Sequence, residues 1–418
     1  MQIEIVTIGN EVLSGRTLDT NAAFLARALE EVSVQVMWHT TVGDHVGSIS
    51  EALRLALDRA DGVVVTGGLG PTPDDMTRKA VATVFKRPLQ LDESVLASLR
   101  ERGRRLGRKL PPSIETQALI PRGAEIWVNP VGSAPGLLIE QKKKPVILLP
   151  GVPQEMEALT RQFVVPYLRQ RSGRFVESFT LRTAGVYESM LHDVIGELPS
   201  KWPGGSLAYL PSYFGVDLRV TVAGGSEDDV HTVTGMAYEQ LRQRVAGVTY
   251  GEGTAGIEEV VGEQLLARGW RIAVAESCTG GLLMKRLTDV PGSSRYVERG
   301  FVVYSNAAKT AQVGVDPALI EAHGAVSAPV AEALARGARA AAGVEVGVGI
   351  TGIAGPDGGS DTKPVGTVFI AVSTPETEVV RDHRFFGSRN VVRERGAQTA
   401  FDLVRRVIAG LPPDPKLG

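Results

Sequence analysis

Apolar runs rich in β-branched residues alternate with helix-period segments near both ends of the chain, and most of the runs break into glycine. Early examples are "QIEIVTIG", "DGVVVTGG" and "PVILLPG"; later ones are "RIAVAES", "GFVVYS", "VEVGVGIT" and "GTVFIAVST". Helical patterns such as "NAAFLARALEEV", "GSISEALRLALDRA", "PQEMEALTRQFVVPYLRQR" and "APVAEALARGARAAAG" fall between them. This alternation predicts parallel βαβ units, sheets covered on both faces, and loops gathered along the carboxyl edge of each sheet. At 418 residues the chain is too long for one ordinary core, since a domain takes ~100–200 residues.

The texture changes once. Residues 1–170 read as one α/β domain. From 171 to 253, "FVESFTLRTAG", "GSLAYLP" and "GVDLRVTVAGG", with helices near 187–197 and 228–245, give a β-α-β-β-α order and a small α+β domain. Glycine-rich "GVTYGEGTAG" reads as the linker into a second α/β domain, 254–418. The expected fold is therefore a three-domain chain, two α/β domains of parallel or mixed sheet joined by a small α+β domain. The 45 basic and 47 acidic residues are well mixed and leave a net charge of -2, too little field to hold nucleic acid or an anionic membrane, so small molecules are the expected partners. One cysteine excludes an intrachain disulfide, and no apolar run approaches the ~20 residues of a membrane span. A reduced, cytoplasmic protein is expected.

The stretch "AVAESCTGGLLMKRL", Ala273 to Leu287, runs from a buried strand into an amphipathic helix, so Glu276 to Gly281 form the turn between them. Free N–H groups at such a helix start can hold an oxyanion, which makes Ser277 a candidate nucleophile for attack on a carbonyl. The competing explanation is structural: Ser277 and Thr279 cap the helix, and Gly280 and Gly281 allow close packing. Cys278 is a rival nucleophile, although a lone cysteine is more often a small buried hydrophobe. The base is open between His323, at a helix end, and a lysine of lowered pKa. "GFVVYSNAAKTAQVGV" offers Lys309 one helical turn after a strand, Gly300 to Ser305, that carries Tyr304 to its carboxyl end.

A glycine-rich loop, "ITGIAGPDGGSDTKPVGTVFIAV", joins two further strands and either wraps a ligand through Thr351, Gly352 and Gly355 or is a long hairpin loop. Its upstream Gly347 to Gly352 formally fits G-x-G-x-x-G, yet the first glycines lie inside a strand and no helix follows, so no dinucleotide fingerprint is assigned. Arg389 starts the last helix as a possible phosphate partner. In the first domain, Gly67, Gly68 and Gly70 follow a strand and precede Asp74 and Asp75. That pair either holds a divalent ion beside a diphosphate or caps the next helix. Ser14 and Asn21 after the first strand, and Gly151 and Glu155 after "VILLP", belong to loops that a parallel sheet brings to the same edge. The basic tract Leu99 to Pro112 reads as a solvated helix end and loop, and "QKKKP" as a hairpin turn.

These motifs resemble the competence-damage inducible protein A (CinA) family over essentially the whole length. "AESCTGG", "ERGFVVYSNAAKTAQVGV", "HGAVS" and "TGIAGPDGGSDTKPVGTV" look like a nicotinamide mononucleotide (NMN) deamidase domain. "IGNEVLSGRTLDTN", "TGGLGPTPDDMT" and "PGVPQEM" are similar to molybdopterin-binding domains, and the middle segment to a KH-type module. The only nearby G-x-x-G, Gly253 to Gly256, lies beyond that module's last helix, so nucleic acid is not an expected partner. The resemblance implies hydrolysis of the NMN carboxamide to nicotinate mononucleotide and ammonia, without a cofactor. It gives Ser277 the role of nucleophile, with Lys309 and Tyr304 assisting; Thr279, Gly280, Gly281, Thr351, Gly352, Gly355 and Arg389 would hold the substrate. It further implies a homodimer and an ADP-ribose pyrophosphatase in the first domain. Mg, Mn or Co would sit at Asp74 and Asp75 and the substrate at Ser14, Asn21, Gly67, Gly68, Gly70, Gly151 and Glu155. Asn10 stands where many members carry an aspartate.

Overall fold

The computed structural model describes residues 1–105, 107 and 112–417. Residues 106 and 108–111 of the basic tract therefore lie outside the described residues, while its start is the end of the helix Glu93–Arg105. Contacts divide the chain into two compact units, Met1–Glu177 with Ala223–His231, and Ser178–Val222 with Thr232–Gly418.

The first unit contains β1 (Gln2–Ile8), β2 (Gln35–Val42), β3 (Gly62–Thr66), β4 (Leu89–Leu91), β5 (Leu119–Pro121), β6 (Glu125–Trp127), β7 (Gly136–Gln141) and β8 (Lys144–Leu149). Six of them form one sheet in the order β2-β1-β3-β8-β7-β6, parallel from β2 to β8 and antiparallel beyond; β4 and β5 pair separately. Strand alternation loads both faces. Val63 and Val65 pack under the helices Val46–Arg59 and Thr77–Phe85, whereas Val64, Ile3 and Ile5 pack under Thr20–Glu30 and the helical run from Pro153. The "QKKKP" turn is the expected hairpin between β7 and β8, and Lys142 and Lys143 both take positive φ there.

The middle segment forms a four-stranded sheet, β10-β11-β9-β12, from β9 (Phe175–Thr183), β10 (Gly205–Pro211), β11 (Val216–Gly224) and β12 (Thr249–Glu252). β12 corrects the linker expected at "GVTYGEGTAG". Its glycines mask a short edge strand antiparallel to β9, anchored by the buried Tyr250 beneath the Arg182 guanidinium.

The last segment carries β13 (Ile272–Glu276), β14 (Val297–Val302), β15 (Val346–Gly352), β16 (Thr367–Ser373) and β17 (Glu378–Arg384) in the order β14-β13-β15-β16-β17. β14, β13 and β15 run parallel, and β16 and β17 continue the sheet antiparallel. Valines and isoleucines of β13, β15 and β16 face the helices Ile257–Arg268, Leu282–Asp289 and Arg389–Ile408. Small residues line the opposite face. A Cβ at Gly347 would lie 2.1 Å from the Ala335 carbonyl oxygen, and one at Gly349 2.2 Å from that of Ala331. The glycines that mimic a dinucleotide fingerprint thus let the helix Ala328–Ala342 lie directly on β15. Among the described residues no helix is long and apolar enough to cross a membrane.

Candidate active site

β13 is central among the three parallel strands, and its carboxyl end is gripped from both sides: Ser277 N–H donates to Ile350 O at 3.0 Å, and Val303 N–H donates to Glu276 O at 2.8 Å. The chain then turns into the helix Leu282–Asp289. The side chain that caps this helix is Glu276, not Ser277 or Thr279. One carboxylate oxygen accepts from Gly281 N–H and Leu283 N–H, both at 3.0 Å, and the other from Met284 N–H at 2.8 Å. This corrects the cap expectation: Ser277 is not occupied as a cap, and the amides of Gly281, Leu283 and Met284 are engaged by Glu276.

Ser277, 8% exposed, opens instead toward Lys309. The strand preceding Lys309 ends at Val302, so Tyr304 and Ser305 lie past it, in the turn. Ser305 caps the helix Asn306–Val313 by accepting from Ala308 N–H at 3.1 Å. Helical side chains lean toward the N-terminus of their helix, which sends Lys309 back over its own cap. Its Nζ donates to Val303 O at 3.1 Å, Tyr304 O at 3.4 Å and Ser277 Oγ at 3.3 Å. Lys309 is 1% exposed, and burial pulls its pKa below the ordinary lysine value. Cys278 is also buried, and desolvation pushes its thiol up to about 12, which leaves it protonated and unreactive at neutral pH.

Ser277, Lys309, Tyr304, Thr351, Gly352 and Arg389 line one cleft of about 210 Å³. Tyr304, 62% exposed, stands at its mouth, where its hydroxyl accepts from Arg389 Nη2 at 3.1 Å. Arg389 Nη1 donates to Gly355 O at 2.7 Å, tying the glycine loop to the last helix. Thr351 Oγ1 donates to Ala325 O at 2.8 Å. Asn306, Ala325 and Ala354 also line the cleft and were not singled out by the sequence; a residue that follows a cap or a strand end is the only signal they carry. Gly355 reaches the arrangement only through its carbonyl. Thr279, Gly280 and Gly281 do not join it: Thr279 is buried, its carbonyl accepts from Arg393 Nη2 at 2.8 Å, and the glycines turn the chain into the helix. His323 sits at the end of Pro317–His323, its carbonyl held by Lys363, and is not a cleft residue.

In the first unit, the loops after β1, β3 and β8 do meet. Asn21 Nδ2 donates to Thr66 Oγ1 at 3.0 Å and to Gly151 O at 2.9 Å, and Thr66 Oγ1 donates to Pro150 O at 3.0 Å. Gly67 and Gly68 have φ of 105° and 67°, and a Cβ on Gly67 would lie 2.2 Å from Ile8 O. The buried Oδ1 of Asn21 has no partner. Ser14 stays local, donating to Glu11 O at 3.3 Å, and Glu155 accepts from Asn129 Nδ2 at 2.6 Å. Asn10 exchanges hydrogen bonds with Asp44, accepting from its N–H at 3.3 Å.

The two aspartates fit a metal ion poorly, and neither caps the helix, which starts only at Thr77 with no side-chain cap. Asp75 Oδ1 accepts from Gly70 N–H at 2.7 Å and Oδ2 from Thr72 N–H at 2.8 Å, so both oxygens are occupied in closing the loop. Asp74 is exposed, with its pKa lowered by a hydrogen bond from Thr72. Among the described residues no three His, Cys, Asp or Glu side chains gather as a metal site.

Three family descriptions match the chain in order: "Probable molybdopterin binding domain" over residues 4–170, "Damage-inducible protein CinA KH domain" over 178–251 and "CinA C-terminal domain" over 254–408. A "CinA-like protein" of Gemmatimonas aurantiaca is 46% identical over 424 residues, spanning 100% of this chain and 99% of its own. A "Putative competence-damage inducible protein" of Acetivibrio thermocellus is 39% identical over 98% of this chain and 100% of its own. The crystal structure of "the protein CinA with unknown function" from Thermoplasma acidophilum is 43% identical, covers 38% of this chain and 94% of that one, and has a TM-score of 0.36.

Proposed function

The chain belongs to the CinA family, and from that premise we propose that its last domain hydrolyses the carboxamide of NMN, giving nicotinate mononucleotide and ammonia. The observation that carries this reading is the buried Lys309 amine 3.3 Å from Ser277 Oγ. In its neutral form Lys309 keeps two N–H donors on Val303 O and Tyr304 O, and its lone pair is directed at the serine hydroxyl.

Lys309 then takes the Ser277 proton as Oγ adds to the carboxamide carbon. The resulting ammonium returns that proton to the departing nitrogen, so ammonia leaves and an ester on Ser277 remains. Water, deprotonated by the same amine, attacks the ester carbon; the C–Oγ bond breaks, that proton returns to Ser277, and the acid formed leaves as the carboxylate after losing its remaining proton to solvent. Arg389 and Tyr304 at the mouth bind the nucleotide end, with the guanidinium facing the phosphate.

The test is incubation of the full-length protein with NMN in the presence and absence of a chelator, reading ammonia and nicotinate mononucleotide. Equal amounts of both products, unchanged by chelator, support the reading; no ammonia from NMN overturns it. For the first domain the joined loops around Asn21, Gly67 and Gly151 support a small-ligand site. ADP-ribose with Mg, Mn or Co is the substrate to try there, and AMP release that chelator stops would support the pyrophosphatase.

A further inference from the structure

A second cavity shares no lining residue with the Ser277 cleft. It holds about 490 Å³, within the ~300–1,000 Å³ range of small-molecule sites. One wall is the last helix, Arg389–Ile408. That helix buries Val392, Ala397, Phe401 and Val404 in the core, yet toward the cavity it presents Arg395, Gln398, Thr399 and Asp402. The spacing i, i+3, i+4, i+7 is a single helical stripe, and this one is polar along its whole length.

The stripe is unevenly satisfied. Asp402 is neutralised, its two oxygens accepting from Arg405 Nη2 at 2.7 Å and Arg406 Nε at 2.8 Å. Among the described residues no carboxylate pairs with Arg395, which is half-buried. Gln398 is 4% exposed; its Oε1 accepts from Arg286 Nη2 at 2.8 Å, which fixes the amide orientation, and its Nε2 has no partner. An orphaned buried donor is costly, by ~1–3 kcal/mol, unless something else accepts from it.

The facing walls are aromatic. Tyr213 and Phe214 come from the turn between β10 and β11, and Arg286 lies 5.0 Å over the Phe214 ring. From β17 and just beyond it, His383 stacks on Phe385 at 5.5 Å and 9°, and burial lowers the His383 pKa so that the ring is neutral. Two more carboxylates border the cavity: Asp414, paired with Arg381 at 2.8 Å, and Glu188.

We propose that this cavity binds a planar heteroaromatic ligand with a hydrogen-bond acceptor edge and one anionic group, chemistry shared by nucleoside monophosphates and heteroaromatic carboxylates. The ring stacks between the aromatic walls, the acceptor edge takes the Gln398 amide after a small side-chain shift, and the anion pairs with Arg395.

Calorimetric titration of the full-length protein tests it, with UMP and orotate as the two charged probes and uridine as the neutral control. Arg395→Ala and Tyr213→Ala, on separate elements, guard against a folding defect, checked by their thermal unfolding. Saturable binding of UMP or orotate, weakened about tenfold or more by each substitution and in uridine, is the expected result. UMP alone would identify the phosphate-bearing source, and orotate alone the carboxylate. No saturable binding of either probe overturns the proposal, and so does binding that both variants retain at full affinity.

Discussion

Two strand-to-helix turns in this chain use the same parts to different ends. After β3, Gly67 to Asp75 form a loop whose carboxylate, Asp75, folds back onto Gly70 N–H and Thr72 N–H. After β13, the carboxylate is the last strand residue, Glu276, and it reaches forward to the amides of the next helix. In both turns an acid satisfies backbone donors that would otherwise be orphaned. Only the second leaves a hydroxyl unclaimed, beside a desiccated amine. An acid close to glycines is therefore no guide to catalysis until its acceptors are counted.

The strongest way to break this contrast is to remove the hydroxyl. Ser277→Ala should lower ammonia release from NMN by ~10³-fold or more, while Asp75→Ala leaves that rate unchanged. Equal losses in the two variants would mean that the turns do not differ as described. Next in size, Lys309→Met should cost ~10²–10⁴-fold in kcat. Because burial lowers the pKa of Lys309, the reactive neutral form exists at lower pH than for an ordinary lysine. In the wild type kcat/KM should accordingly rise with pH through that lowered value and level off above it; a rise only near the ordinary lysine range would remove the amine from its role.

Smaller effects concern the two acids. Glu276→Gln and Asp75→Asn should each reduce stability by about 1–2 kcal/mol, seen in thermal unfolding, and only the first should also slow ammonia release from NMN. The least effect belongs to Cys278→Ala, whose rate should stay within a few-fold of wild type, since a thiol pushed up to about 12 contributes no thiolate at neutral pH.

The strands and helices around these turns were legible because alternation and helical period are written along single segments. Ala328–Ala342 and the start of Arg389–Ile408 fall where the pattern puts them. β12 was hidden because glycines obscure a strand whose support comes from β9, far off in sequence. Ser277 and Lys309 were legible as candidates, but their pairing depends on β14 lying beside β13, which spacing alone does not state. Glu276 was missed as a cap because its partners lie five to eight residues ahead, beyond the usual capping interval. Asp74 and Asp75 looked equivalent in sequence, and only the loop's curvature separates a latch from an exposed carboxylate.

The paired carbonyls of Val303 and Tyr304 carry one more consequence. They clasp the amine in a fixed seat, so in the proposed reaction it would act as a stationary relay and not as a swinging arm. Each turnover would then pass its proton out and back without reorienting the lysine, and a side chain one methylene shorter at that position would leave the relay out of reach of its hydroxyl.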